Sequence, residues 1–366
     1  MSIRKNLEQV WAQLRSQAAV RKDSVTRVQI KNFRGIKDLQ VRFPFPVCVL
    51  AGANSCGKST VLFSLGCAYR VPDAPQMFTP QKLFPDFRPS HESDLADQHR
   101  GQVEIVFSYN VSGQSLEMLW KRGTNKWDKN FFGRKKSTQP ERQVYLHIPE
   151  PVWAVGFALE QPLHVVALAC SASRILKRLQ HTLPKFSNPS EMRSTQKLAQ
   201  RQYKLEVIDA SNIAFAQRIL GYEYLQLTLA SSSGKDLLVA KRIDESEQDC
   251  QYSEYHMSSG ERAVIRLSMH LSKLKDALVL IDEIDTGLHP YTQQLLMLEL
   301  QRLALRNNLQ IVCTTHSAVV LETVPEEARI FLERTGGNVF QKEAWRDTIQ
   351  KSLYGRSQDV LTILCE

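Results

Sequence analysis

Gly52-Ala53-Asn54-Ser55-Cys56-Gly57-Lys58-Ser59-Thr60 decides the reading of this chain. The stretch fits G-x-x-x-x-G-K-[ST], a glycine loop whose backbone N–H groups cradle phosphates. Its setting supports the match. Val47-Cys48-Val49-Leu50-Ala51 before it reads as a buried strand, and Val61-Leu62-Phe63-Ser64-Leu65 after it is compatible with a helix. Such a loop and a helix N-terminus together form a concave positive site for an anion. Lys58 is placed to reach the β- and γ-phosphates, and Ser59 to put its hydroxyl on Mg²⁺. Gly52, Asn54, Ser55, Gly57, Lys58, Ser59 and Thr60 are thus the expected nucleotide contacts, with a nucleoside triphosphate and Mg²⁺ as ligands.

A second group of motifs lies about two hundred residues downstream. Met257-Ser258-Ser259-Gly260-Glu261-Arg262 opens a helix running to about Lys275, so its hydroxyls and backbone donors make another anion site. Ala277-Leu278-Val279-Leu280-Ile281 is an apolar strand ending in Asp282-Glu283. Asp282 would hold Mg²⁺ directly or through water, and Glu283 would orient or deprotonate a water. Leu309-Gln310-Ile311-Val312-Cys313-Thr314-Thr315 is a further strand, ending at His316. The end of a strand in an α/β sheet faces the ligand crevice.

In this order the motifs resemble those of ABC-class ATPases of the Rad50, structural-maintenance-of-chromosomes and RecF group. Val28-Gln29-Ile30-Lys31-Asn32-Phe33-Arg34-Gly35 resembles the group's opening strand and turn, and Ser258-Ser259-Gly260-Glu261 its signature motif. Asp282-Glu283 resembles its Walker B pair, Asp285 its following acid and His316 its switch histidine. Asp282 to Pro290 and the tail Tyr354 to Leu361 are most similar to the overcoming-lysogenization-defect (OLD) family and its stand-alone ATPase relatives. The resemblance implies an α/β fold: a two-lobed head with a mixed sheet around the phosphate loop and a helical and hairpin insertion. It also implies two copies sandwiching two ATPs, each nucleotide touching Gly52–Thr60 of one copy and Ser258–Glu261 of the other. Glu283, Lys58, His316 and Ser258 would be the catalytic set, with Ser59 and Asp282 on the metal, and Ser259, Gly260 and Asp285 completing the nucleotide contacts. The glutamine that the group uses between its lobes has four candidates, Gln76, Gln81, Gln98 and Gln102.

The boundaries expected on this basis are an N-terminal helix over 1–24, head halves over 25–120 and 246–366, and a basic insertion over 121–245. About 200 residues between the motif halves are too few for a long coiled coil. Full-length OLD proteins carry a C-terminal nuclease domain. The 50 residues after His316 are too few for such a domain, so the chain is expected not to be a nuclease itself.

The composition is that of an ordinary soluble chain: 366 residues, 43% hydrophobic and 23% charged. No run of 18 uncharged apolar residues exists and the N-terminus lacks a signal-peptide core, so a cytoplasmic protein without a membrane span is expected. Seven scattered cysteines contain no C-x-x-C pair and suggest neither a disulfide framework nor a zinc site. Ile3, Leu7, Val10 and Leu14 make residues 1–24 one amphipathic helix, docked on the body or on a partner.

The net charge of +9 is concentrated. Trp120 to Lys204 holds 16 Lys and Arg against 5 Asp and Glu. Within it, Lys121, Arg122, Lys126, Lys129, Arg134, Lys135 and Lys136 interleave with Trp120, Trp127, Phe131 and Phe132, a composition that binds phosphates and stacks on bases. DNA, RNA or an acidic protein such as a phage product could meet it, and a surface hairpin with Phe131 and Phe132 tucked into the core is the structural alternative. Three functions follow. The first is the ATPase subunit of an OLD-like anti-phage system, a homo-oligomer controlling a separately encoded nuclease or other effector. The second is a RecF-like DNA repair clamp. The third is a scaffold that sequesters a toxic effector.

Overall fold

The computed structural model describes residues 3–20, 24–72, 77–84, 102–111, 114–122, 127–132, 139–148, 204–232, 235–243 and 249–342. Along the chain, helix α1 (Ile3–Val20) precedes β1 (Ser24–Phe33), β2 (Ile36–Arg42) and β3 (Val47–Ala51). Helix α2 (Lys58–Gly66) and the short α3 (Pro80–Leu83) follow. Strands β4 (Glu104–Val111), β5 (Gln114–Arg122), β6 (Trp127–Phe132) and β7 (Gln143–His147) complete the first part. The second part holds β8 (Lys204–Val207), α4 (Ala210–Leu220), β9 (Tyr224–Ser232), β10 (Lys235–Ile243) and β11 (Asp249–Ser253). It continues with α5 (Ser259–Leu271), β12 (Ala277–Ile281), α6 (Pro290–Asn307), β13 (Gln310–Thr315), α7 (Ala318–Glu322), β14 (Arg329–Thr335) and β15 (Asn338–Lys342).

Among the described residues the strands make three sheets. The central one is ordered β15-β14-β3-β13-β12-β7. Five of its strands run parallel, and β15 is antiparallel at the edge. Every residue of β3, β12 and β13 is buried. That is why these segments read as unbroken apolar runs: a parallel sheet covered on both faces has no polar side. The order puts β13 between the phosphate-loop strand β3 and the acid-bearing strand β12, so the ends of all three converge.

An antiparallel sheet, β2-β1-β4-β5-β6, flanks the centre. Gln310 of β13 ties it in, its buried amide donating to Val25 O (2.7 Å) and accepting from Val25 N (3.2 Å). The third sheet, β11-β10-β9-β8, is antiparallel and connects to α4, which packs against α5 and α6. The α/β class with a mixed sheet around the loop is as expected.

The N-terminal helix is docked on the body. Leu7, Val10 and Leu14 are buried, and α1 lies against α6. Trp11 Nε1 donates to Gln301 Oε1 (2.9 Å) and Thr323 O (3.2 Å), and Arg15 pairs with Glu327 at 2.7 Å. Three such burials contribute about 1.5–3 kcal/mol each, which holds the helix in place.

Two segments differ from their sequence reading. Residues 204–207 are a strand, not a continuation of helix, because Leu205 and Val207 alternate with polar neighbours and extend the β9 edge. Residues 143–147, set in a polar and basic stretch, form β7 beside β12. The apolar stretch 152–170, the helical stretch up to 203 and the tail Tyr354 to Leu361 lie outside the described residues. Among the described residues no helix is long and apolar enough to cross a membrane.

His147, at the end of β7, gives the fold a pH dependence. Its ring is surrounded by protein yet keeps partial solvent contact. Burial, and secondarily the His270 charge, lower its pKa from 6.5 to about 4. Below pH 6.5 the unfolded chain takes up a proton that the folded chain refuses. Stability is therefore full above about pH 6.5 and lost as pH falls towards 4, by roughly 1–2 kcal/mol after allowing for the solvent contact. Urea midpoints at pH 7.5 and 5 would read the slope, and His147→Asn should flatten it. A slope unchanged in that variant would remove His147 as its source.

Candidate nucleotide site

Strand β3 delivers the loop Gly52–Gly57, and α2 begins at Lys58. Gly57 caps the helix with φ 94° and Gly52 has φ 146°, both in glycine territory. A Cβ on Gly52 would stand 2.1 Å from Leu332 O, so the loop packs directly on the β14 backbone. Ser55 also takes a left-handed φ, 61°. Arg334, at the end of β14, donates from Nε to Ser55 O (2.8 Å) and holds that carbonyl.

Lys58 is buried, its Nζ donating to Gly52 O (2.8 Å) and Ala53 O (3.0 Å). Burial lowers its pKa, while Cys56, Asp282, Glu283 and Asp285 oppose that shift. Ser59 Oγ donates to Asp282 Oδ1 at 3.2 Å. The oxygens that would hold a metal here are therefore one hydroxyl and one carboxylate, both hard donors. Among the described residues no three His, Cys, Asp or Glu converge as a metal cage. This donor set fits Mg²⁺, which takes one or two carboxylates and completes its shell with phosphate and water.

The strand order explains what holds the acids. Thr314, at the end of β13, donates from Oγ1 to Asp282 Oδ1 (2.6 Å), and the same oxygen accepts from Glu283 N (2.7 Å). Glu283 has φ 48°, so the chain leaves the strand axis there and turns its side chain out of the core. Thr315 Oγ1 donates to Asp285 Oδ1 (2.5 Å), which also accepts from His316 N (3.2 Å). His316 is partly buried, and its pKa is lowered first by burial and then by the Lys58 charge. A cleft of about 310 Å³ gathers Asn54 to Thr60, Asp282, Glu283, His316, Arg34 and Arg334.

Ser258, Ser259 and Gly260 sit elsewhere, at the start of α5, where the two serines are exposed and Gly260 is buried. Ser258 Oγ accepts from Glu261 N (3.1 Å) as the N-cap. A Cβ on Gly260 would lie 2.4 Å from Gly287 O, so this helix start packs against the 282–289 segment of its own chain. These residues do not line the cleft of their own protomer.

The sequence reading gave no site role to Thr314, Thr315, Arg34 or Arg334. Thr at a strand end is common, and only the β3-β13-β12 order reveals Thr314 and Thr315 as the link between acids. Of the four glutamines, Gln81 is exposed on α3 and Gln102 donates to Arg122 O (3.1 Å). Neither lines the cleft, and Gln76 and Gln98 lie outside the described residues.

The cation–aromatic segment is split. Trp120 is buried, its Nε1 donating to Cys67 O (3.1 Å), with Lys129 Nζ 4.9 Å from its ring centre. Trp127 packs edge-on to Phe33 at 5.7 Å. Trp120 therefore belongs to the core, and the partly buried Trp127 packs against it. Lys121 and Arg122 lie at the end of β5, and Lys126, Arg134, Lys135 and Lys136 lie outside the described residues.

Two family models match parts of the chain. Residues 171–322 match "AAA domain, putative AbiEii toxin, Type IV TA system", and residues 24–145 match "Protein of unknown function (DUF2813)". No curated protein matches in sequence. The fold is similar to the Smc head domain of Pyrococcus furiosus bound to the C-terminal domain of ScpA, with TM-score 0.53 and 14% identity over 91% of this chain and 99% of that one. It is similar to an Smc head bound to the C-terminal winged-helix domain of ScpA, with TM-score 0.50 and 15% identity over 89% and 99%. An SMC head domain from Thermotoga maritima aligns with TM-score 0.46 and 13% identity over 88% and 99%. The fold is therefore similar to that of Smc head domains.

Proposed function

We propose that this chain is a Mg²⁺-dependent ATP hydrolase that works as a pair of heads with ATP between them. The observation that carries the reading is the Ser59–Asp282 contact at the mouth of the phosphate loop, with Glu283 and His316 on the same cleft. Lys58 and the loop N–H groups would bind the triphosphate, and Ser59 and Asp282 would hold Mg²⁺. The metal supplies neutralisation of phosphate charge. Glu283 would accept the proton of the attacking water, and His316 would meet the γ-phosphate. Ser258 and Ser259, exposed and outside the lining of their own cleft, would supply the hydroxyl and helix N-terminus to the neighbour's ATP.

At the level of the cell, the chain would be the ATPase subunit of an OLD-like anti-phage system and control a separately encoded effector. The toxin–antitoxin wording of the family model over 171–322 is compatible with effector control. ScpA on the Smc heads offers a precedent for a partner domain on such a head.

The test is ATP turnover per subunit across a range of protein concentrations, with and without duplex DNA. Turnover that rises with concentration and saturates supports paired heads. A rate per subunit independent of concentration in a monomeric protein overturns pairing. Turnover that needs DNA and falls steeply with salt replaces the defence reading by the repair clamp.

A further inference from the structure

Glu261 occupies the third position of α5 after its N-cap Ser258, the spacing of a capping box. In that motif the serine accepts from the backbone N–H of the acid, and the carboxylate reaches back to the N-cap N–H. Only the first half is present: Glu261 N donates to Ser258 Oγ. The carboxylate is turned the other way. Its Oε1 accepts from Tyr224 Oη (2.7 Å) and Tyr252 Oη (2.6 Å). Tyr224 is on β9 and Tyr252 on β11, two strands of the third sheet. Arg242 of β10 lies over the Tyr252 ring at 5.4 Å and over Tyr222 at 4.1 Å. Glu261 and Tyr224 are buried, so the arrangement is enclosed by the fold.

A buried carboxylate needs donors. Without the two tyrosines, the start of its own helix would be one supply, the reach-back of a complete capping box, and there it would compete with an anion. We propose that Tyr224 and Tyr252 are positioning residues. They hold the Glu261 carboxylate away from the α5 N-terminus and so leave that terminus and the Ser258 hydroxyl open to the γ-phosphate of ATP on a second copy. The inference rests on the paired-head reading.

The effect belongs to the pair of heads, not to the first binding step. In Tyr224→Phe/Tyr252→Phe the rings stay and two donors go. The expected result is kcat for ATP lowered about ten- to hundredfold. Affinity for a fluorescent (mant) ATP, measured at protein concentrations where the chain is monomeric, should stay within about twofold of wild type. Tyr252→Phe alone, at the less buried position, should give a smaller loss of kcat and guards against a double variant that fails to fold. Wild-type kcat in a folded double variant overturns the proposal. So does a parallel loss of mant-ATP affinity and kcat, which marks a general defect. A wild-type protein that neither binds mant-ATP nor hydrolyses ATP sinks the function reading itself.

Discussion

Glu283→Gln should reduce ATP turnover by roughly a hundred- to ten-thousandfold while leaving ATP affinity nearly intact, the loss typical of removing a general base. The amide has the size and shape of the carboxylate, so the backbone turn at φ 48° and the Thr314 bond to Glu283 N have no reason to change. What changes is the capacity to take a proton from water. Asp282 cannot replace it. Its Oδ1 already accepts from Ser59 and Thr314, and it is buried, whereas Glu283 is exposed to the cleft. If hydrolysis separates paired heads, the variant should also accumulate as an ATP-bound dimer. Phosphate release and solution mass with and without ATP are the two measurements. Normal turnover would end the assignment of Glu283 as base.

The parts of this site that could be read from sequence are those whose chemistry is carried by consecutive residues. The loop over 52–60, the acid pair at 282–283 and the histidine at 316 each follow an apolar run. Burial of β3, β12 and β13 on both faces made those runs conspicuous. What could not be read depends on lateral order in the sheet. Thr314 touches Asp282 only because β13 lies between β3 and β12. Arg334 supports Ser55 only because β14 lies on the other side of β3. No local signal distinguishes either residue from an ordinary strand end. Strand β7 was hidden for another reason: Val144-Tyr145-Leu146 is too short an apolar run to stand out between basic residues.

The same logic applies to Glu261. The capping-box spacing of Ser258 and Glu261 is legible, yet it predicts the wrong direction for the carboxylate. The tyrosines that divert it come from positions 224 and 252, in a sheet whose pairing is not local. For Trp120 and Trp127 the sequence showed rings among cations. Their orientation depends on the antiparallel register of β5 and β6, which places them toward Cys67 and Phe33.

Lys58→Ala should weaken ATP binding about a hundredfold or more, which is the largest effect on affinity expected of a single side chain here. The ammonium is buried within the loop, and burial lowers its pKa against the opposing pull of Cys56, Asp282, Glu283 and Asp285. It also holds the carbonyls of Gly52 and Ala53, the two residues that lead into the loop. Alanine removes both the charge facing the phosphates and this internal tie. Two charge-assisted hydrogen bonds at roughly 1.5 kcal/mol each account for the estimate. The loss should be much smaller for AMP, which lacks the β- and γ-phosphates that the lysine of such a loop reaches. Calorimetric titration with ATP and AMP separates the cases. Equal losses for both nucleotides would mean the loop has collapsed, and unchanged ATP affinity would remove Lys58 from the site.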